Sequence, residues 1–206
     1  MAPTDGKSID DETSIDRSRY SQVAIVLHWI IAALILVNLY LGFRMGFLRG
    51  FAQFNVFQLH KSVGITILVF SVARLVWRLL NPPPGSHHMK PWEKAAAGVH
   101  WGFYVIMIGM PLSGWIVVST SRLDLPTMLY RLIPWPHFPI VHGLNVGTKA
   151  IINNASGATH LILAWSALAL LALHIGAVVK HQFLDRNPVL GRMLPFSCRP
   201  NLGKDS

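Results

Sequence analysis

The stretch THLILAWSALALLALHIGAV, residues 159–178, is almost wholly apolar yet carries a histidine near each end, His160 and His174. The chain has ten histidines in 206 residues. His28, His60, His100, His160 and His174 lie inside long apolar runs, where an ionisable side chain is costly and marks an interior or functional position. His87, His88, His137, His142 and His181 fall in loops or at run ends and read as solvated or interfacial imidazoles. A buried imidazole can make an interhelical hydrogen bond, relay a proton or ligate a metal. A relay normally recruits Asp or Glu at depth, and the apolar runs contain neither. Zinc asks for three or four protein ligands. Two neutral imidazoles facing each other from different helices suit an octahedral iron held in a macrocycle.

The elements that must position these groups are four apolar runs, 23–43, 59–80, 98–118 and 157–179. Their lengths match the roughly 20 helical residues needed to cross about 30 Å of hydrocarbon. Composition agrees: 52% of residues are hydrophobic and 13% charged, against about 25% charged in soluble domains, and mean hydropathy is +0.43. The expected fold is therefore an all-α integral membrane four-helix bundle. Residues 1–20 form a polar tail without signal-peptide character, so the first run is expected to stay as an anchor. The helical domain is expected over 21–195, followed by a second tail, 196–206.

Of the 18 Lys and Arg, only Arg44, Arg49, Lys61, Arg122, Arg131 and Lys149 fall on the side opposite the N-terminus. The positive-inside rule then places both termini in the cytoplasm. A net charge of +9 distributed in this way reads as membrane topology, not nucleic-acid binding. Cys198 is the one cysteine, which excludes an intrachain disulfide, and the absence of C-x-x-C-H excludes ordinary covalent haem attachment. Pro111 predicts a kink in the third run. The outer loop, 119–154, is expected to hold a short amphipathic helix around LDLPTMLYRLIPWP or to be plain loop.

Threading the runs alternately pairs His60 with His160 near the outer face and His28 with His174 near the inner face. Fourteen residues of helix rise about 21 Å and fall roughly 40° short of four turns, so His160 and His174 share one side of the fourth helix. Ala164 and Ala167 lie on that same face, and Gly42 comes level with the outer pair; small residues there leave room for a flat group, or for ordinary helix packing. Arg74 and Arg78 lie on the face of His60 but at the inner end, suited to a carboxylate or to lipid phosphates. Lys61 is read as snorkelling to the interface, with an outer carboxylate as its other partner. His100 sits at inner depth, and spacing alone does not rank it against His28 and His174.

The segments RYSQVAIVLHWIIAALIL, LHKSVGITILVFSVARLVWRL, HWGFYVIMIGMPLSGW and ATHLILAWSALALLALHIGAVVKHQFLDRNPVLGRMLP together resemble the bacterial cytochrome b561 family over roughly residues 19–195. The resemblance implies a transmembrane cytochrome b domain over 21–195, with two non-covalent b haems in the inner (cytoplasmic) membrane. It implies His28 and His174 as ligands of the inner haem iron and His60 and His160 as ligands of the outer one. It removes His100 from the ligand set and favours Arg74 as a propionate contact. Leu161 stands where many members carry a glutamate after the first fourth-helix histidine, and the outer loop matches no family motif.

The function expected is electron transfer across or within the membrane, in contact with lipid and exchanging with quinone; any redox partner protein is unknown. A superoxide oxidase delivering electrons to ubiquinone is the alternative, with the six outer cations attracting a small anion. A non-haem transporter or metal-binding protein with a histidine-lined path is the alternative from another class.

Overall fold

The computed structural model describes residues 21–81 and 91–185, and of 91–96 the backbone alone. Four long helices dominate: α1 (Gln22–Phe47), α2 (Gly50–Leu80), α3 (Pro91–Ser119) and, after a small cap, α5 (Val146–Val179). All four contain stretches long and apolar enough to cross a membrane, as expected from the hydropathy. The tails, the proline-rich inner loop, His87 and His88 lie outside the described residues. Large apolar side chains face outward as they do toward lipid: Tyr40, Phe47, Leu79 and Ile162 are between 62% and 80% exposed. Ser21 caps α1 through its side chain and Asn145 caps α5, each accepting a backbone N–H of the first turn.

The core belongs to α1, α2 and α3. Ile31, Tyr104 and Met107 form one cluster, and Leu41, Val63 and Ile67 form another. On α5 only Ala167 is buried among the described residues. α5 docks on α3 through glycine notches: Cβ atoms added at Gly102 and Gly109 would stand 3.2 Å from Leu170 Cδ1 and 3.5 Å from Leu163 Cδ1. These pairs run in opposite directions at a seven-residue spacing, the spacing of an antiparallel helix seam. α1 packs on α2 and α2 on α3, whereas α5 is held off from α1 and α2.

Two helices begin earlier than their apolar runs. α2 starts at Gly50, and His60 lies well inside it; α5 starts at Val146, and His160 lies fourteen residues along it. The added turns carry Gln53, Asn55, Gln58 and Asn153, which hydropathy excludes but which a helix projecting beyond hydrocarbon accommodates. α3 runs through Pro111. α5 ends in a π-helical turn, Lys180–Leu184, where His181 Nδ1 lies 2.7 Å from Asp185 Oδ2.

The outer loop, expected as a short amphipathic helix or plain loop, instead forms a hairpin, β1 (Thr127–Leu129) with β2 (Ile133–Trp135), and a short helix, α4 (Pro139–His142). Pro126, Pro134 and Pro136 explain the difference, because each withholds a backbone donor that a helix would need. Tyr130 and Arg131 in the hairpin loop take left-handed φ values of 50° and 63°, a conformation that costs roughly 1–2 kcal/mol for a residue with a Cβ. Docking on α2 offsets it. Tyr130 donates its N–H to Ser62 Oγ at 2.9 Å, its hydroxyl lies 2.7 Å from Thr66 Oγ1, and Arg131 donates to Asn55 Oδ1. Ser62 is 1% exposed and in turn donates to the Gln58 carbonyl. Ser62→Ala is therefore expected to lower the thermal midpoint in detergent. Stranding the Tyr130 donor should cost about 1–3 kcal/mol, with far-ultraviolet circular dichroism as the measure.

Candidate cofactor site

A cavity of about 900 Å³ separates α5 from α1 and α2, and it is lined by His28, His60, His100, His160 and His174. It lies toward the upper end of the roughly 300–1,000 Å³ of ligand pockets. The wall is otherwise mostly apolar, with Gly42, Gly64, Gly114, Ala164 and Ala167 supplying low surfaces. Helical pitch explains the layout. His28 and Gly42 rise together on α1, His60 and Arg74 on α2, and His160 and His174 on α5, each pair fourteen residues apart on one face.

The imidazoles meet across the gap at two levels. His60 and His160 ring centres are 6.2 Å apart with planes at 73°, and His28 and His174 are 6.4 Å apart at 63°. Two metal–imidazole bonds of about 2.0 Å, with roughly 1.1 Å from each nitrogen to its ring centre, put the centres of two opposed ligands about 6.2 Å apart. Both separations match a metal atom held between the rings. His100 joins the inner cluster, 6.0 Å from His174, so the three inner imidazoles that spacing leaves unranked also stand together in space. Phe103 packs edge-on to His174 at 5.5 Å.

Proton placement favours metal binding at the outer level. His60 Nδ1 lies 3.2 Å from the Asn38 carbonyl and His160 Nδ1 lies 3.0 Å from the Met110 carbonyl. A carbonyl only accepts, so each Nδ1 carries the proton and each Nε2 keeps a free lone pair. Fixing the ring through its second nitrogen is the usual support of a histidine ligand. Ser113 Oγ, 3.1 Å from His160 Nδ1, adds a second contact in the turn interrupted by Pro111. Packing fixes the rings as well: a Cβ at Gly114 would stand 3.2 Å from His160 Cε1, and one at Gly42 3.5 Å from His60 Cε1. Gly114, Asn38 and Ser113 were not singled out as site residues from the sequence. Helix-interior glycine or serine carries no distinguishing signal.

The inner level differs. Arg74 Nη1 lies 2.8 Å from His28 Nδ1. A guanidinium only donates, so here His28 Nδ1 is the acceptor. For His28 Nε2 to hold a metal as neutral imidazole, Nδ1 must carry the proton and Arg74 must turn to another acceptor. Its planar fork in the cavity wall suits a carboxylate. Arg78 also lines the cavity and sits 5.7 Å from the Trp101 ring and 5.6 Å from Tyr104. Lys61 does not snorkel. It is 9% exposed, donates to Thr127 Oγ1 at 3.2 Å and rests on the Phe57 ring.

A family model described as prokaryotic cytochrome b561 matches residues 19–196. Cytochrome b561 homolog 2 of Escherichia coli K12 is 28% identical over 180 residues, spanning 85% of this chain and 91% of that protein. Cytochrome b561 homolog 1 of the same strain is 26% identical over 190 residues, 86% of this chain and 98% of its own. A probable superoxide oxidase, CybB, of Yersinia pestis is 26% identical over 183 residues, 86% and 96% respectively. Haem b fits the donors: paired neutral imidazoles, a flat apolar gap and arginine at one end. The non-haem alternative gives way to it.

Gly114→Leu should force His160 out of position and lower the haem bound per chain, as measured by pyridine haemochrome. Gly46→Leu is the control, because a Cβ there meets nothing within 4 Å, and it should leave haem content unchanged.

Proposed function

The chain belongs to the prokaryotic cytochrome b561 family, multi-pass bacterial membrane proteins that bind haem b and transfer electrons, and from that premise we propose that it is a di-haem carrier exchanging electrons with quinone in the inner membrane. The observation that carries the proposal is the pair of opposed imidazoles at two heights, His60 with His160 and His28 with His174. His60, His160, His28 and His174 would hold haem, which when bound would supply a one-electron couple suited to outer-sphere transfer.

The remaining residues act by holding and orienting. Asn38 and Met110 fix the outer rings through their carbonyls. Arg74 would hold a carboxylate of the bound group at the inner end on turning from His28 Nδ1. Gly42, Gly114, Ala164 and Ala167 keep the gap thin. His160 and His174 stand about 21 Å apart along α5, which separates an outer from an inner exchange site along the membrane normal. The excess of Lys and Arg on the side of the N-terminus supports cytoplasmic termini and an outer pair facing away from the cytoplasm. The membrane lipid and a quinone dissolved in it are the partners; the redox partner protein is undefined.

The test is haem stoichiometry and spectra of single variants. His60→Ala and His160→Ala should each remove one of two haems and leave the other reducible. His28→Ala and His174→Ala should remove the second. His100→Ala should retain both, because His28 is assigned opposite His174. Equal loss of both haems from every variant overturns separate sites, and loss of the inner haem from His100→Ala with retention in His28→Ala reassigns the ligand.

A second reading is favoured by the likeness to the probable superoxide oxidase and by Lys61, which the hairpin fixes at the outer level of the cavity. A held cation there attracts a small anion such as superoxide. Stopped-flow mixing with enzymatically generated superoxide should reduce the haem faster than spontaneous dismutation if this reading holds, and added ubiquinone should reoxidise it. Reduction no faster than dismutation leaves the carrier alone.

A further inference from the structure

The seam between the outer cap and the end of α3 gathers a second set of donors, separate from the imidazoles of the cavity. Asp124 comes from the turn after α3, His137 from the link between β2 and α4, and His142 from the last residue of α4. His137 Nε2 is 3.5 Å and His142 Nδ1 is 3.7 Å from the same oxygen, Asp124 Oδ1. One donor atom from each of the three lies within 4.8 Å of the others. The two imidazole planes are parallel to 2°, with centres 4.4 Å apart.

We propose that Asp124, His137 and His142 form a binding site for a divalent transition-metal cation of the zinc type, with water completing the shell. Direct hydrogen bonds do not explain the cluster. Charge-assisted N–H···O contacts close to about 2.7–2.9 Å, and both of these are much longer. The spacing fits a bridging cation better: bonds of about 2.0–2.1 Å in a tetrahedron put neighbouring ligand atoms roughly 3.3 Å apart. The two Asp124 separations approach that value, and completing the arrangement requires one imidazole to turn out of the parallel stack, because a cation bonded to both must lie in both ring planes. His142 Nδ1 also lies 3.4 Å from the Ser119 carbonyl, too long a contact to compete strongly for the nitrogen.

The scaffold is already tied down. Ser119 Oγ accepts the Phe138 N–H at 2.7 Å, Trp115 donates its indole N–H to the Pro136 carbonyl at 2.9 Å, and Trp115 packs edge-on to Phe138. These bonds fasten the residues flanking His137 to α3. Asp124 adopts a left-handed φ of 47°, tolerated by Asp, which turns its carboxylate toward the histidines. Burial first, and then the neighbouring His142, hold the His137 imidazole below its ordinary range, with Asp124 opposing. Lys61 and Lys149 act in the same direction as burial.

Donor chemistry selects the cation. Two imidazoles and one carboxylate suit zinc or copper(II), whereas magnesium and calcium take oxygen shells. Three protein ligands plus water is also the count of an open zinc site. A cation there would staple the turn after α3 to α4 and the hairpin, clamping the cap beside the outer imidazole pair.

The full-length, haem-loaded protein in detergent is stripped with a chelator and re-equilibrated with Zn²⁺, with Mg²⁺ as comparison. Metal per chain is read by mass spectrometry, and affinity by competition with a chromophoric chelator. We expect one Zn²⁺ more in the parent protein than in His137→Ala, His142→Ala or Asp124→Asn, and an affinity about 100-fold or more above theirs, since even supporting bonds are worth roughly 10–100-fold. Mg²⁺ should not bind. An unchanged haem spectrum in the metal-free variants shows that the cavity is intact. Parent affinity equal to that of the His137→Ala, His142→Ala double variant overturns the site. If a variant loses its haem, the parent protein loaded with Co²⁺ decides: tetrahedral ligand-field bands support the site, and their absence overturns it.

Discussion

The fold depends on one helix being held at a distance. Among the described residues α5 packs chiefly on α3, where glycine notches receive its leucines, and it faces α1 and α2 across a gap spanned by histidines. A bundle driven only by burial would close that gap, because apolar surfaces out of contact forfeit dispersion energy. Here the facing residues have the wrong shape for closure. Glycine and alanine offer no knobs, and the imidazoles meet ring to ring at about the spacing of two ligands on one metal atom. A group bound between them would do for α5 what side-chain packing does for α1, α2 and α3. By linkage it would stabilise the folded state by an amount that grows with the logarithm of its affinity. The near absence of buried residues on α5 is the structural counterpart of that dependence.

Holding the gap open also fixes the chemistry of its donors. In a membrane interior a charged imidazole is expensive, and the carbonyls of Asn38 and Met110 go further by dictating which nitrogen keeps its proton. Those carbonyls belong to turns of α1 and α3 that the bundle needs anyway, so ligand orientation is a by-product of helix packing. The inner level lacks such an anchor at His28, where Arg74 occupies Nδ1. The two levels are therefore unequal: the outer is organised by the backbone, while the inner rearranges around a long side chain and has a third imidazole, His100, within reach.

Much of this was legible in the sequence because two numbers govern it. The length of apolar runs against bilayer thickness yields four spans, and helical rise against a fourteen-residue interval yields the facing pairs at two heights. What was not legible follows from the limits of the same numbers. Hydropathy stops at polar residues, so the turns that carry α2 back to Gly50 and α5 back to Val146 were missed. They are polar because they leave the hydrocarbon and, on α2, receive the cap. A hairpin loop with Tyr130 and Arg131 at positive φ contradicts turn preferences for Gly and Asn, and its docking on Ser62, Thr66 and Asn55 accounts for it. His137 and His142 looked like ordinary loop residues, since Asp124 is thirteen positions away and nothing local joins them.

The cap links these features. Its strained loop is tolerated because it bonds to α2 one residue beyond Lys61 and four beyond Gln58. The same docking brings Thr127 and the Pro126 carbonyl onto the lysine ammonium. Lys61 is thereby drawn in against the outer imidazole level instead of extending toward solvent, and Gln58 donates to the same Pro126 carbonyl. On the other side, Trp115 reaches from the cavity wall to hold Pro136 and Phe138. The cap therefore rests on α2 and α3, two of the three helices that share the packed core. The cation at that mouth is thus placed by the cap and α2, while the gap lies between α5 and the α1–α2 pair.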